Sequence, residues 1–188
     1  MKPIILALLV LTGAVRGLGD VLKVPPASPD LSRRYVFYLH GGVVTGSDGR
    51  PFTKEFGPYE YRAILKRFSD DGFVVISEIR PDDDDPGRYA GKVAGWISQL
   101  KKSGVSSSRI SVVGASMGGV IAAHVSALLG DPGISYVILA GLYDDGRNAA
   151  SFLESAISFP FSAVSREQGR GFSCGAGTVG GGRLSAME

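Results

Sequence analysis

The stretch that most constrains this chain is Ile110-Ser111-Val112-Val113-Gly114-Ala115-Ser116-Met117-Gly118-Gly119, an apolar run that ends in a glycine-flanked serine. Arg109 to Val113 is short and β-branched, as a buried parallel strand should be. Met117, Val120, Ile121, Val125 and Leu128 then recur at helical spacing. The pattern predicts strand, sharp turn, helix. Such a turn forces the serine into a strained conformation, and Gly114 and Gly118 remove the side chains that would clash. Ser116 then projects from the sheet edge as a candidate nucleophile. The helix beside it points free N–H groups and its positive end at any oxyanion formed there. The competing reading is a serine in an ordinary glycine-rich turn. A phosphate loop is excluded: no Gly-Lys-Ser/Thr is present, and Gly114 to Gly119 does not fit G-x-G-x-x-G.

Around this stretch the chain alternates. Tyr35-Val36-Phe37-Tyr38-Leu39 reads as a strand running into His40-Gly41-Gly42, and Val43 to Gly57 as a polar, glycine-rich loop. Pro58 suits a first helical turn, with Tyr61, Ile64, Leu65 and Phe68 as the apolar stripe and Asp70-Asp71-Gly72 as the stop. Phe73 to Ser77 is the next strand, followed by a loop through Glu78-Ile79-Arg80-Pro81. Asp85-Pro86 is placed as N-cap and first-turn proline of a helix carrying Tyr89, Val93, Trp96, Ile97 and Leu100 to about Gly104. Ser135 to Ala140 is a fourth strand. This order implies parallel strands with helices on both faces, an α/β fold whose reactive groups gather at the carboxyl ends of strands. Both His40-Gly41 and Ser116 lie at such ends.

A chain of 188 residues suits one domain with a sizeable core. Its formal charge of +2, with no Lys/Arg block, argues against a nucleic-acid partner. Cys174 is the only cysteine, so there is no intrachain disulfide and no Cys/His set for zinc. Lys2, the apolar run Pro3 to Leu11 and small residues to Gly17 fit a secretory signal over 1–17, the run being too short to span a bilayer; an uncleaved anchor or core helix is the alternative. Export to a periplasm or the outside is expected. Residues 18–33, with Val24-Pro25-Pro26-Ala27-Ser28-Pro29, read as a linker, 34–146 as the folded core, and 147–188 as an irregular tail with coil over Gly169 to Gly182.

With His40-Gly41-Gly42 after one strand and Gly114-Ala115-Ser116-Met117-Gly118 after another, the segment from Arg34 to Gly141 resembles the α/β-hydrolases, in particular bacterial exported serine hydrolases. The resemblance implies a three-layer αβα core and Ser116 as nucleophile. It makes the N–H of Met117 and one from Gly41 or Gly42 the oxyanion hole. The implied reaction is acyl transfer from a small ester-type substrate to water through an acyl-serine, which calls on no cofactor and no metal.

The chain also departs from that family. Members carry an acid and then a general-base histidine later in the chain, and nothing past His124 is a histidine. His124 lies eight residues beyond Ser116, about 12 Å along a helix, and shares its face with Val120 and Leu128, as a packed residue does. His40 has two readings, a brace for the oxyanion loop or a substitute base. Asp144 is a candidate acid, although Tyr143-Asp144-Asp145-Gly146 also reads as a solvated turn. The 47 residues after Gly141 are fewer than the family's remaining units need at about 30 residues per crossover, so the core is expected to be incomplete at its C-terminal side. A shifted reading frame near residue 145 or a binding remnant would account for that. Impaired turnover and self-association through an exposed edge at the fourth strand are expected. The run Asp82 to Asp85 lacks calcium-loop spacing and reads as a solvated acidic loop. Tyr59, Tyr61 and Phe56 are either pocket wall or packing.

Overall fold

The computed structural model describes residues 21–54, 57–81 and 85–139 in full, together with the backbone of 161–167 and 170–177. The signal reading of 1–17, Phe56, Asp82 to Asp84, Asp144 and the candidate helix at Ala149 to Ile157 all lie outside the described residues.

Among the described residues, three α-helices and one main sheet make a mixed α/β fold. The strands of that sheet are β1 (Val21–Leu22), β2 (Arg34–Leu39), β5 (Phe73–Ile76), β6 (Ile110–Ala115), β7 (Ser135–Leu139), β8 (Phe161–Glu167) and β9 (Arg170–Gly177). A two-stranded ribbon of β3 (Phe52–Thr53) and β4 (Gly57–Pro58) stands apart. The helices are α1 (Tyr61–Asp70), α2 (Pro86–Lys102) and α3 (Met117–Leu129). In space the main sheet runs β1-β5-β2-β6-β7-β8-β9, parallel throughout except for the antiparallel β8–β9 pair.

The pleat of β2 explains the layers. Tyr35 to Leu39 are each 3% exposed or less, so this strand is covered on both faces, as a central parallel strand must be. Tyr35, Phe37 and Leu39 pack with Tyr89, Val93 and Ile97 of α2 and Ile121 and Val125 of α3. Val36 and Tyr38, pointing the other way, pack with Tyr61 and Leu65 of α1. Apolar alternation on one strand thus anchors helices on opposite sides.

Connectivity then places the site. From β2 the chain crosses through α1 to β5 on one side, whereas from β6 it crosses through α3 to β7 on the other. Adjacent strands whose connections leave in opposite directions open a crevice at their carboxyl ends, where open parallel sheets hold ligands. The two ends in question are followed by His40-Gly41 and by Ser116.

Four expectations need correction. The linker over 18–33 contains β1, which pairs with β5, and the Ser77 N–H donates to the Leu22 carbonyl at 2.9 Å; two residues are too few to show any period. Pro58 is not in a helical first turn: the ribbon pairing and a Tyr59 N–H to Pro51 carbonyl bond of 2.9 Å hold it extended, and α1 starts at Tyr61. The tail read as irregular holds β8 and β9, because a backbone ladder needs no side-chain period to form. The fourth strand, β7, is therefore not the sheet edge: β8 pairs with it from Val137↔Ser162 to Leu139↔Val164. The Asp85-Pro86 helix start stands as read, with the Asp85 carboxylate accepting from the Arg88 N–H at 2.8 Å.

Candidate functional site

Ser116 occupies a conformation that L-residues avoid. Its φ is 53° and its ψ −121°, and it is the one non-glycine residue with positive φ among the described residues. Strand β6 delivers it and α3 begins at the next residue. The Ser116 N–H is tied to the Leu139 carbonyl at 2.7 Å, while its own carbonyl accepts from the Gly119 N–H at 2.7 Å.

This tight turn exists because two neighbours have no side chain. A Cβ on Gly114 would lie 2.1 Å from the Gly118 carbonyl oxygen. One on Gly118 would lie 1.9 Å from the Leu39 oxygen and 2.8 Å from that of His40. The second contact also packs the turn directly against the end of β2, and so brings the two motifs together.

Gly41 and Gly42 stand next to the serine. A Cβ on Gly41 would be 3.5 Å from that of Ser116, and one on Gly42 would be 3.9 Å from that of Met117. Gly42 to Val44 form a 3-10 turn and Met117 opens α3, so the N–H groups of Gly42 and Met117 fall at helix starts, where no preceding carbonyl of the helix takes them up. Met117, the residue after Ser116, is 40% exposed, and Val43, the residue after Gly42, is 38% exposed. Tyr59 has a ring carbon 3.8 Å from the Cβ position of Gly41, and with Tyr61, Arg50, Arg62 and Glu60 it also lines a cavity of about 290 Å³. The Tyr59 hydroxyl shares a 2.7 Å hydrogen bond with that of Tyr38.

His40 is fully buried, and both its ring nitrogens are engaged. Nδ1–H donates to the Gly41 carbonyl at 2.8 Å, and Nε2 accepts from the Arg80 backbone N–H at 3.0 Å. Burial, reinforced by the nearby Arg80 charge, brings its pKa down from 6.5 to about 4. The ring is therefore neutral near pH 7 and directed into the loop rather than toward Ser116. Both ring nitrogens of His40 thus meet backbone groups, of Gly41 and of Arg80.

His124 belongs to a different neighbourhood. Its Nδ1 lies 3.9 Å from the Cβ position of Gly87, at the start of α2, and burial lowers its pKa against the opposing charge of Asp85. Among the described residues no cluster of three or more His, Cys, Asp or Glu side chains suits a metal ion.

Of the residues singled out in the sequence, Gly41, Gly42, Ser116 and Met117 come together, His40 lies beneath them, and His124 turns away. Arg80 was missed. It is 3% exposed and donates Nη2–H to the His40 carbonyl at 2.8 Å, and its own carbonyl accepts from the Gly46 N–H at 2.9 Å. The available signal was its place just past the carboxyl end of a parallel strand. Comparison of the chain with protein-family models, curated proteins and solved structures finds no match.

Proposed function

We propose that this chain is a serine hydrolase of the α/β-hydrolase type, acting on a small ester-type substrate through an acyl-serine. The observation that carries the reading is the strained Ser116, between strand and helix and set against Gly41 and Gly42 at the point where the strand connections reverse. The helix start and the adjoining loop amides would stabilise charge developing on a substrate carbonyl oxygen. In the reaction Ser116 Oγ bonds to the carbonyl carbon and its proton passes to a base. The alkoxy group then leaves and takes a proton to become the alcohol, and water cleaves the acyl-serine to a carboxylic acid. The exposed apolar side chains of Val43 and Met117, next in the chain to Gly42 and Ser116, favour an acyl chain over a charged substituent beside the carbonyl.

One observation favours a second reading, a protein that binds an acyl ligand without turnover. His40 uses both ring nitrogens within the loop, and His124 is about 12 Å along α3 from the serine, so neither imidazole is set to take the proton. The amino-terminal sequence pattern supports export, and no helix of the described residues is long and apolar enough to cross a membrane.

Labelling with a fluorophosphonate, followed by intact mass, separates the two. Attack by Ser116 Oγ on phosphorus displaces fluoride, so the hydrolase reading expects one adduct on the wild type and none on Ser116→Ala. A folded wild type that gains no adduct would leave the binding reading. With no described imidazole serving as base, the labelling rate is expected to climb through pH 9 rather than level off near pH 7.

A further inference from the structure

Arg80 is an expensive residue to bury, and three of its hydrogen bonds reach the loop that follows β2. Its guanidinium is nearly solvent-free, lies 5.4 Å over the Tyr89 ring, and donates to the His40 carbonyl. Its backbone N–H holds the His40 ring and its backbone carbonyl holds Gly46. One residue thus ties both ends of the segment from His40 to Gly46, which contains the two glycines beside Ser116. A charge desolvated to this degree is retained only where strong hydrogen bonds compensate it, and the described partner is a peptide oxygen of the candidate oxyanion loop.

The planarity of the peptide bond gives this contact a direction. The His40 carbonyl and the Gly41 N–H belong to one trans peptide unit, so fixing the oxygen toward Arg80 aims the N–H the opposite way. The next unit is fixed likewise: the His40 ring donates to the Gly41 carbonyl, which aims the Gly42 N–H. A cation on the carbonyl also polarises the amide and makes its N–H a stronger donor. We propose that Arg80 is the positioning residue of the oxyanion loop, holding the His40–Gly41 and, through the His40 ring, the Gly41–Gly42 peptide planes so that their N–H groups are pre-aimed at the carbonyl oxygen of a substrate on Ser116.

This proposal rests on the serine-hydrolase reading, and one experiment separates their failures. The second-order rate of fluorophosphonate labelling is measured for the wild type, Arg80→Lys and Arg80→Met, with thermal melting on each and guanidinium chloride added at low millimolar concentration. A misaimed donor should slow labelling about tenfold or more. Lysine, which keeps the charge without the planar fork, should fall between wild type and methionine, and added guanidinium should restore part of the methionine variant's rate. A folded Arg80→Met that labels at the wild-type rate overturns the positioning role while leaving Ser116 as nucleophile. A wild type that never labels removes the hydrolase reading and this inference with it. If the Arg80 variants fail to fold, the wild type decides: its Gly41 or Gly42 amide proton should move downfield in the phosphonylated protein, and resonances that stay in place overturn the proposal.

Discussion

Gly118 and Gly42 flank the same crevice yet face opposite spatial demands. At Gly118 even one carbon would overlap the backbone of Leu39, at 1.9 Å, in a place where neither strand nor helix can retreat. At Gly42 the nearest heavy atom to an added Cβ is 3.9 Å away, which is ordinary contact. Gly118→Ala is therefore expected to cost about 3 kcal/mol or to prevent folding, because overpacking a rigid backbone contact is not relieved by rotamers. Gly42→Ala should stay within about 0.5 kcal/mol of the wild type. Urea unfolding midpoints of the two variants decide it; equal losses would mean that the β2 end and the serine turn are not in contact as described.

Among the elements, α2 was legible because local chemistry sets both its ends. Asp85 caps it, Pro86 opens it, and Gly104, at φ 100°, follows its last turn. Asp85→Ala should lower stability by about 1 kcal/mol through the lost Arg88 N–H bond. It should also lower the His124 pKa further, since Asp85 is the charge that opposes its burial. A proton NMR titration of the His124 ring in both proteins checks the second effect; an unchanged midpoint would refute it. The strand and helix around Ser116 were equally legible, because periodicity and glycine spacing are local. What could not be read depended on distant partners. Strand β1 is defined only by β5, β8 and β9 by each other and by β7, and the extended path at Pro58 by its ribbon. Arg80 is a case of the same kind: a loop arginine in sequence, it becomes a buried clamp only when β5 settles beside β2 and presents it to His40.

For the molecule as a whole, the buried His40 couples stability to pH. Its pKa is depressed to about 4 in the fold against 6.5 in the open chain, so between these values the unfolded state binds a proton that the native state does not. The stabilisation is complete above pH 6.5 and is lost as pH falls toward 4. His124, also depressed, acts in the same direction. The His40 share amounts to about 2 kcal/mol between pH 7 and pH 4.5. Urea unfolding of the wild type should show that loss, and His40→Asn, which keeps a donor and an acceptor without a titrating ring, should show a correspondingly smaller one. Parallel pH profiles for the two proteins would exclude His40 as the source.

The position of β2 also governs how the site can come into being. β2 is bordered by β5 and β6, both of which follow it in the chain, so β6 pairs with β2 and not with β5, the strand that precedes it. A nascent chain that has reached β5 holds the glycine loop and Arg80 but leaves the other side of β2 open. Only when β6 inserts there, closing a long excursion of the chain, does the serine turn meet the loop. On the serine-hydrolase proposal, reactivity at Ser116 during refolding would stay silent through the early, local events and switch on with that closure, so that labelling would time the long-range β2–β6 contact.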